Sequence, residues 1–208
     1  MGIDLPSLIA IFGCILVSMT LHEAMHAYAS YWLGDDTAKH QGRLTLNPLA
    51  HIDPIMTVLL PLVLAASGLP PFGAAKPVPF NPSRLKYGEF GAAIVGAAGP
   101  LTNLALAVIA SVVLRLFAPS FDTTANNVIY TFALVNASFF LFNIIPFPPL
   151  DGSRVLYALA PDPVRRVMEQ IESMGIMALL FFFLLFSTFL AGPFSRLLGA
   201  LLDFLVGG

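Results

Sequence analysis

Long apolar blocks alternate with short polar connections along this chain. Four blocks are long enough to cross a bilayer as helix, which takes about 20 residues. They cover approximately residues 5–33, 89–117, 127–147 and 174–191. Gly34 closes the first, and Gly192-Pro193 reads as a helix stop after the fourth. A fifth block, residues 52–67, is shorter. It opens on Asp53-Pro54, a helix cap followed by proline at the first helical position, and it carries Pro61 inside.

Lys and Arg decide whether the fifth block crosses or dips. If it crosses, Lys76, Arg84, Lys86, Arg154, Arg165 and Arg166 share one side, against Lys39, Arg43, Arg115 and Arg196. If it enters and returns, only Arg115 and Arg196 oppose the rest. Basic residues gather on the cytoplasmic side of membrane proteins, which favours the re-entrant reading. The expected fold is then an all-α polytopic membrane protein in a single domain, residues 1–208. It has four transmembrane helices plus a re-entrant segment, with five spans as the alternative. Both termini lie outside and the basic loops lie in the cytoplasm.

The connections have their own texture. Residues 37–46, TAKHQGRLTL, place Gln41-Gly42 between short alternating runs and predict a small cytoplasmic β-hairpin. Residues 75–82, AKPVPFNP, carry three prolines and must be extended. Pro146, Pro148 and Pro149 break the third span and predict another extended stretch. Asp162-Pro163 reads as a helix start. Residues 194–206 are mildly amphipathic and are expected to lie on the membrane surface. Tyr31 and Trp32 read as interfacial anchors, and Phe181 to Phe183 as lipid-facing.

Composition agrees with a membrane protein. Hydrophobic residues make up 57% of the chain and charged residues 11%, against about 25% charged in soluble domains. Mean hydropathy is +0.83. These values exclude disorder and a nucleic-acid-binding surface. The single cysteine, Cys14, excludes an internal disulfide framework and a Cys-based zinc finger. The first residues carry Asp4 and no basic run, so a signal peptide is not expected.

The chemistry begins with His22-Glu23-Ala24-Met25-His26, an HExxH motif inside the first span. Positions i and i+4 share one face of a helix, so two imidazoles there can hold one Zn²⁺. Glu23 projects beside them and can take a proton from water. The bland alternative is two core histidines satisfied singly. Three ionisable groups at mid-membrane are costly unless paired or coordinated, which favours the metal. A catalytic zinc takes three protein ligands. Asp151 is the leading third candidate, and its alternative role is to cap a following short helix. Glu89, His40, His51 and Asp53 are rivals. Gly91, Gly96 and Gly99 read as close helix packing.

HEAMH in the first span, GPLTN in the second and NIIPFPPLDG closing the third occur in that order. Together they resemble the site-2 protease family of intramembrane zinc metalloproteases, in its compact bacterial branch without PDZ or CBS domains. LTLNPLAHIDP and AKPVPFNP extend the likeness over nearly the whole chain. The resemblance implies one zinc per chain on His22, His26 and Asp151, with Glu23 as general base. It implies that Asn143 orients the substrate carbonyl or its oxyanion. Asn103 reads first as an interhelical hydrogen bond and second as a substrate contact.

An unwound substrate segment is expected to add as a strand to one of two edges, the extended stretch with Lys76, Pro77, Val78 and Pro79 or the hairpin around Gly42. The expected partners are transmembrane proteins or peptides and the bilayer, with no nucleic acid. The expected location is the cell membrane, with the active site toward the cytoplasm. The competing class is a metal-binding membrane transporter or a proteolytically inactive relative.

Overall fold

The computed structural model describes residues 4–59, 63 and 75–207. Helix α1 (Leu5–Trp32) starts on Asp4, whose carboxylate accepts the Ser7 amide at 2.9 Å. Its 28 residues make a rod of about 42 Å at 1.5 Å per residue, longer than the ~30 Å hydrocarbon layer. Next come α2 (Thr37–His40), a single turn, then the long α3 (Glu89–Phe117) and α4 (Thr123–Asn143). Two short helices follow, α5 (Gly152–Leu159) and α6 (Asp162–Ser173). Helix α7 (Ile176–Leu185) runs through a π-turn (Phe186–Leu190) into α8 (Ala191–Val206). Among the described residues, four helical rods are long and apolar enough to cross a membrane: α1, α3, α4, and α7 joined to α8.

Helix α3 is the hub and packs on α1, α4 and α5. Its buried face is built of small residues, among them Gly91, Ala92, Gly96, Gly99 and Ala107. With no hydrophobic drive between helices in lipid, such residues allow the close contact that holds them.

Two backbone hydrogen bonds set the topology. The Lys86 amide donates to Leu33 O at 2.8 Å, so α1 ends where α3 begins. The Lys76 amide donates to His51 O at 2.9 Å, so residues 51 and 76 are neighbours. Residues 60–62 and 64–67 of the predicted re-entrant block, residues 52–67, lie outside the described residues; its flanks return to one place. Arg43, 3% exposed, donates to both Ala50 O and Lys76 O and joins the same two flanks. Cys14 is buried, so introduced cysteines report cleanly. Single cysteines at positions 40 and 84 should label from one face of the membrane and one at 122 from the other. Labelling of 84 together with 122 would restore the five-span alternative.

Four expectations need correction. The predicted β-hairpin at residues 37–46 is absent, and no strand occurs among the described residues. Asp35 is the reason. Its carboxylate accepts the Thr37 amide at 3.1 Å and the Thr37 hydroxyl at 2.6 Å, which starts a helical turn. It also accepts the Asn81 amide at 2.6 Å, tying the proline-rich stretch to this loop. Burial opposes ionisation of Asp35, but the Thr37 hydroxyl and the Asn81 and Thr37 amides outweigh it and hold the pKa low.

The second correction concerns the chain after α4, which is folded into tight turns rather than extended. The Phe147 amide reaches Ile145 O at 2.8 Å and the Leu150 amide reaches Phe147 O at 2.9 Å. The Pro148-Pro149 bond is cis.

Third, Gly192-Pro193 does not end the last helix. The π-turn shifts the register just before it, and Pro193 then lies in the first turn of α8, where no intrahelical donor is needed. Helix α8 does not lie apart on the surface: Leu202 packs with Ala107 of α3 and Ala137 of α4. Fourth, Phe182 is only 1% exposed. It packs against Phe142 and Phe147 at ring distances of 5.6 and 5.2 Å, while Phe181 faces outward.

Candidate active site

Helical periodicity places His22 and His26 on one face of α1, and that face turns toward α3. Their Nε2 atoms lie 3.0 Å apart. Asp151 Oδ2 lies 3.0 Å from His22 Nε2 and 3.3 Å from His26 Nε2. All three residues are buried or half-buried, and they form the one group of this kind among the described residues. Asp151 does not cap α5 with its side chain. Its Oδ2 is buried without a hydrogen-bond partner among the described residues. The rivals are engaged elsewhere. His40 pairs with Asp36 at 2.9 Å, His51 bonds Thr45 O at 2.9 Å, and Asp53 accepts the Ile55 amide at 2.8 Å. Glu89 occupies the first turn of α3.

The two imidazoles are oriented from behind by α3. His22 Nδ1 lies 2.6 Å from Asn103 Oδ1, and His26 Nδ1 lies 2.7 Å from Val95 O. Both partners are acceptors, so each Nδ1 carries the proton and each Nε2 turns a lone pair inward. Two lone pairs and a carboxylate oxygen thus face one point. Tetrahedral zinc at 2.0–2.1 Å from each ligand separates ligand atoms by about 3.3 Å, close to the triangle observed. The donor set fits zinc.

Glycines create the room for this triangle. A Cβ on Gly99 would fall 2.7 Å from His22 Nε2 and closer still to His26 Nε2. One on Gly96 would fall 2.8 Å from Arg154 Cβ, and one on Gly152 would strike Ile144 O. Gly96 therefore lets the turn bearing Asp151 seat against α3, and Gly152 lets that turn close on the end of α4. The reading of Gly99 as a packing residue understated its place, since what it packs against is the pair of imidazoles.

Two cavities flank the triangle. The larger, about 390 Å³, is lined by His22, Glu23, Asn143, Asp151 and Pro77, with Ile176 and Leu179 of α7. The smaller, about 140 Å³, is lined by Glu23, His26, Val78, Phe80 and Arg154. Glu23, Pro77, Pro149, Leu150 and Asp151 border both. Of the sequence-derived residues, Glu23 and Asn143 therefore open on the larger space. The Asn143 amide nitrogen donates to Phe139 O at 3.1 Å, and its Oδ1 has no hydrogen bond among the described residues. Pro77 and Val78 form one wall. The Lys76 amide is taken by His51, and Pro77 and Pro79 carry no amide hydrogen.

Asn103 is completely buried and bonded to His22, Asn136 and Ser18 O. It borders neither cavity, so a substrate contact at Asn103 is corrected to a contact with His22. Sequence reasoning missed Ser18 and Asn136, both fully buried beside Asn103. A polar residue inside an apolar span is costly, and that was the available signal. The Val95 carbonyl had no signal.

Comparison with known proteins agrees with this site. Residues 54–188 match the model of peptidase family M50; that stretch includes Asn103, Asn143 and Asp151, and His22, Glu23 and His26 precede it. The chain is 42% identical to the Bacillus subtilis protein named "Putative zinc metalloprotease YwhC" over 176 residues, covering 81% of this chain and 77% of that one. It is 28% identical over 165 residues to Rip2 of Mycolicibacterium smegmatis, also named as a zinc metalloprotease, covering 78% of this chain and 61% of Rip2. Rip2 of Mycobacterium tuberculosis is 29% identical over 174 residues, with 64% of its length covered. No solved structure matches the chain. A metalloprotease family match over most of the chain thus coincides with a buried His, His, Asp triangle among four apolar helical rods, and the chain belongs to peptidase family M50, the site-2 protease family of metalloproteases.

Proposed function

We propose that this chain is an intramembrane zinc metalloprotease that hydrolyses peptide bonds in or near transmembrane segments of other membrane proteins. The observation that carries the reading is the triangle of His22 and His26, buried on the inner face of an apolar helix, with half-buried Asp151 of a distant turn, and with Glu23 beside it on a cavity. His22, His26 and Asp151 would hold one zinc. The metal, when bound, supplies Lewis acidity that polarises the scissile carbonyl and acidifies water.

The chain's own residues do the rest. Glu23 accepts the proton of the attacking water and returns it to the leaving amine. Asn143 turns its Oδ1 and its amide edge to the cavity, where it orients the substrate backbone. A transmembrane helix hides its carbonyls in its own hydrogen bonds, so the substrate must unwind before it is cut. The extended stretch Lys76, Pro77, Val78 and Pro79 contributes Pro77 and Val78 to the cavity walls and offers an edge for strand addition. Because Pro77 and Pro79 have no amide hydrogen, Val78 is the donor along that edge. The eight basic residues Lys39, Arg43, Lys76, Arg84, Lys86, Arg154, Arg165 and Arg166 flank the site end of the helices. By the positive-inside rule that end faces the cytoplasm, so cleavage occurs toward the cytoplasmic side of a cell membrane.

A transporter needs metal ligands but no general base; the intact Glu23 at the cavity favours the enzyme. The direct test is the zinc content of protein purified without chelators, beside His22→Ala and Asp151→Ala. About one zinc per chain, largely lost in both variants, is expected. Zinc retained in Asp151→Ala would remove the third ligand from this reading.

A further inference from the structure

Behind the zinc triangle, three transmembrane helices are joined by a chain of side-chain amides that has one direction. Asn136 of α4 donates from Nδ2 to Phe132 O at 2.8 Å and to Ser18 Oγ of α1 at 2.8 Å. A backbone carbonyl can only accept, so Phe132 O fixes which end of the Asn136 amide is nitrogen. Asn136 Oδ1 then points to α3 and accepts Asn103 Nδ2 at 2.8 Å. That short bond, beside a longer one from Asn103 Nδ2 to Ser18 O at 3.4 Å, fixes the Asn103 amide and presents its Oδ1 to His22 Nδ1 at 2.6 Å. Ser18, Asn103 and Asn136 are all completely buried, so water cannot substitute for a missing link.

We propose that Asn136 is a positioning residue for the metal centre: it sets the polarity of the Asn103 amide, and through it the tautomer of His22. With Asn103 Oδ1 toward the ring, His22 keeps its proton on Nδ1 and offers the Nε2 lone pair to the metal. With the Asn103 amide reversed, its NH₂ faces the ring, the proton moves to Nε2, and His22 ceases to be a ligand. His26 is held differently, by the Val95 carbonyl, which cannot reverse. The amide chain therefore acts on one imidazole of the pair. The inference rests on the zinc reading above and adds a residue that borders neither cavity: Asn136 lies seven residues, about 10 Å, before Asn143 on α4.

The test uses the full chain in detergent, with zinc alone as the probe. Zinc affinity is measured by competition with a chromogenic chelator, and thermal unfolding is followed in parallel on metal-free protein. Asn136→Leu keeps the shape and removes the polarity. It should weaken zinc binding 10- to 100-fold, the usual cost of losing a group that orients a metal-bound histidine. Asn136→Asp, held neutral in this apolar setting, still turns an acceptor to Asn103 and a hydroxyl to Phe132 O or Ser18. It should bind zinc within a few-fold of wild type. Asn103→Leu, which removes the acceptor itself, should match Asn136→Leu.

Equal loss of zinc in the Leu and Asp variants of Asn136, tracking a common loss of thermal stability, would show that Asn136 merely holds helices together and would overturn the proposal. Wild-type affinity in Asn136→Leu would overturn it as well. A wild-type chain that binds no zinc would overturn the zinc reading itself, a result the variants cannot mimic.

Discussion

Glu23→Gln should lower peptide-bond cleavage by about 10²- to 10⁴-fold, the usual contribution of a positioned general base, while zinc content stays at the wild-type level. The substitution is nearly isosteric and replaces a carboxylate with an amide that cannot take up a proton. Glu23 is not part of the ligand triangle, whose atoms come from His22, His26 and Asp151. It borders both cavities and is 9% exposed, so the change removes a reacting group without emptying the core. Cleavage of a reconstituted transmembrane substrate and metal analysis on the same preparation check both halves. Cleavage at the wild-type rate in the variant would end the assignment of Glu23 as base.

The second large effect is expected at a residue with no side chain. Gly99→Ala should abolish high-affinity zinc binding and cleavage together. The new methyl would sit 2.7 Å from His22 Nε2, and nearer to His26 Nε2, well inside van der Waals contact. Neither ring can retreat freely, because Asn103 and the Val95 carbonyl hold their far sides from the same helix, α3. Alanine favours an isolated helix over glycine by about 1 kcal/mol, but overpacking costs about 1–3 kcal/mol and here falls on the ligand atoms. Gly13→Ala in α1 is the control, since nothing lies within 4 Å of its would-be Cβ. Chelator competition on both variants reads the difference. Full zinc occupancy in Gly99→Ala would mean that α3 stands farther from the imidazoles than described.

Each error in reading the fold from the sequence has a specific cause. Gln41-Gly42 between alternating residues is a fair hairpin signal, but Asp35 competes for the same stretch through its bonds to Thr37 and Asn81. The Asn81 contact spans 46 positions, beyond the reach of a local pattern. Gly192-Pro193 reads as a stop only if the helix before it is regular, and a π-turn at Phe186–Leu190 makes it irregular. The phenylalanines at 181–183 look alike in sequence. Only the packing of α4 against α7 separates buried Phe182 from exposed Phe181.

The sequence by itself determined the parts that depend on short spacing and on solvent. Apolar length requires spanning helices, because only a helix satisfies its own backbone in lipid. The i, i+4 spacing puts His22 and His26 on one face, and the cost of charge at that depth calls for a metal there. Charge asymmetry favoured a re-entrant fifth block, part of which lies outside the described residues; the hydrogen bond from Lys76 to His51 brings its two flanks together. Tertiary structure decided what depends on contacts between distant segments. It brought Asp151, and none of its four rivals, to His22 and His26 by seating its turn against Gly96. It withdrew Asn103 from the cavity and gave it to His22, and it supplied Asn136 and Ser18 to fix that bond. Hydrogen-bond polarity passes through space from helix to helix, and no pattern along one strand of sequence carries that direction.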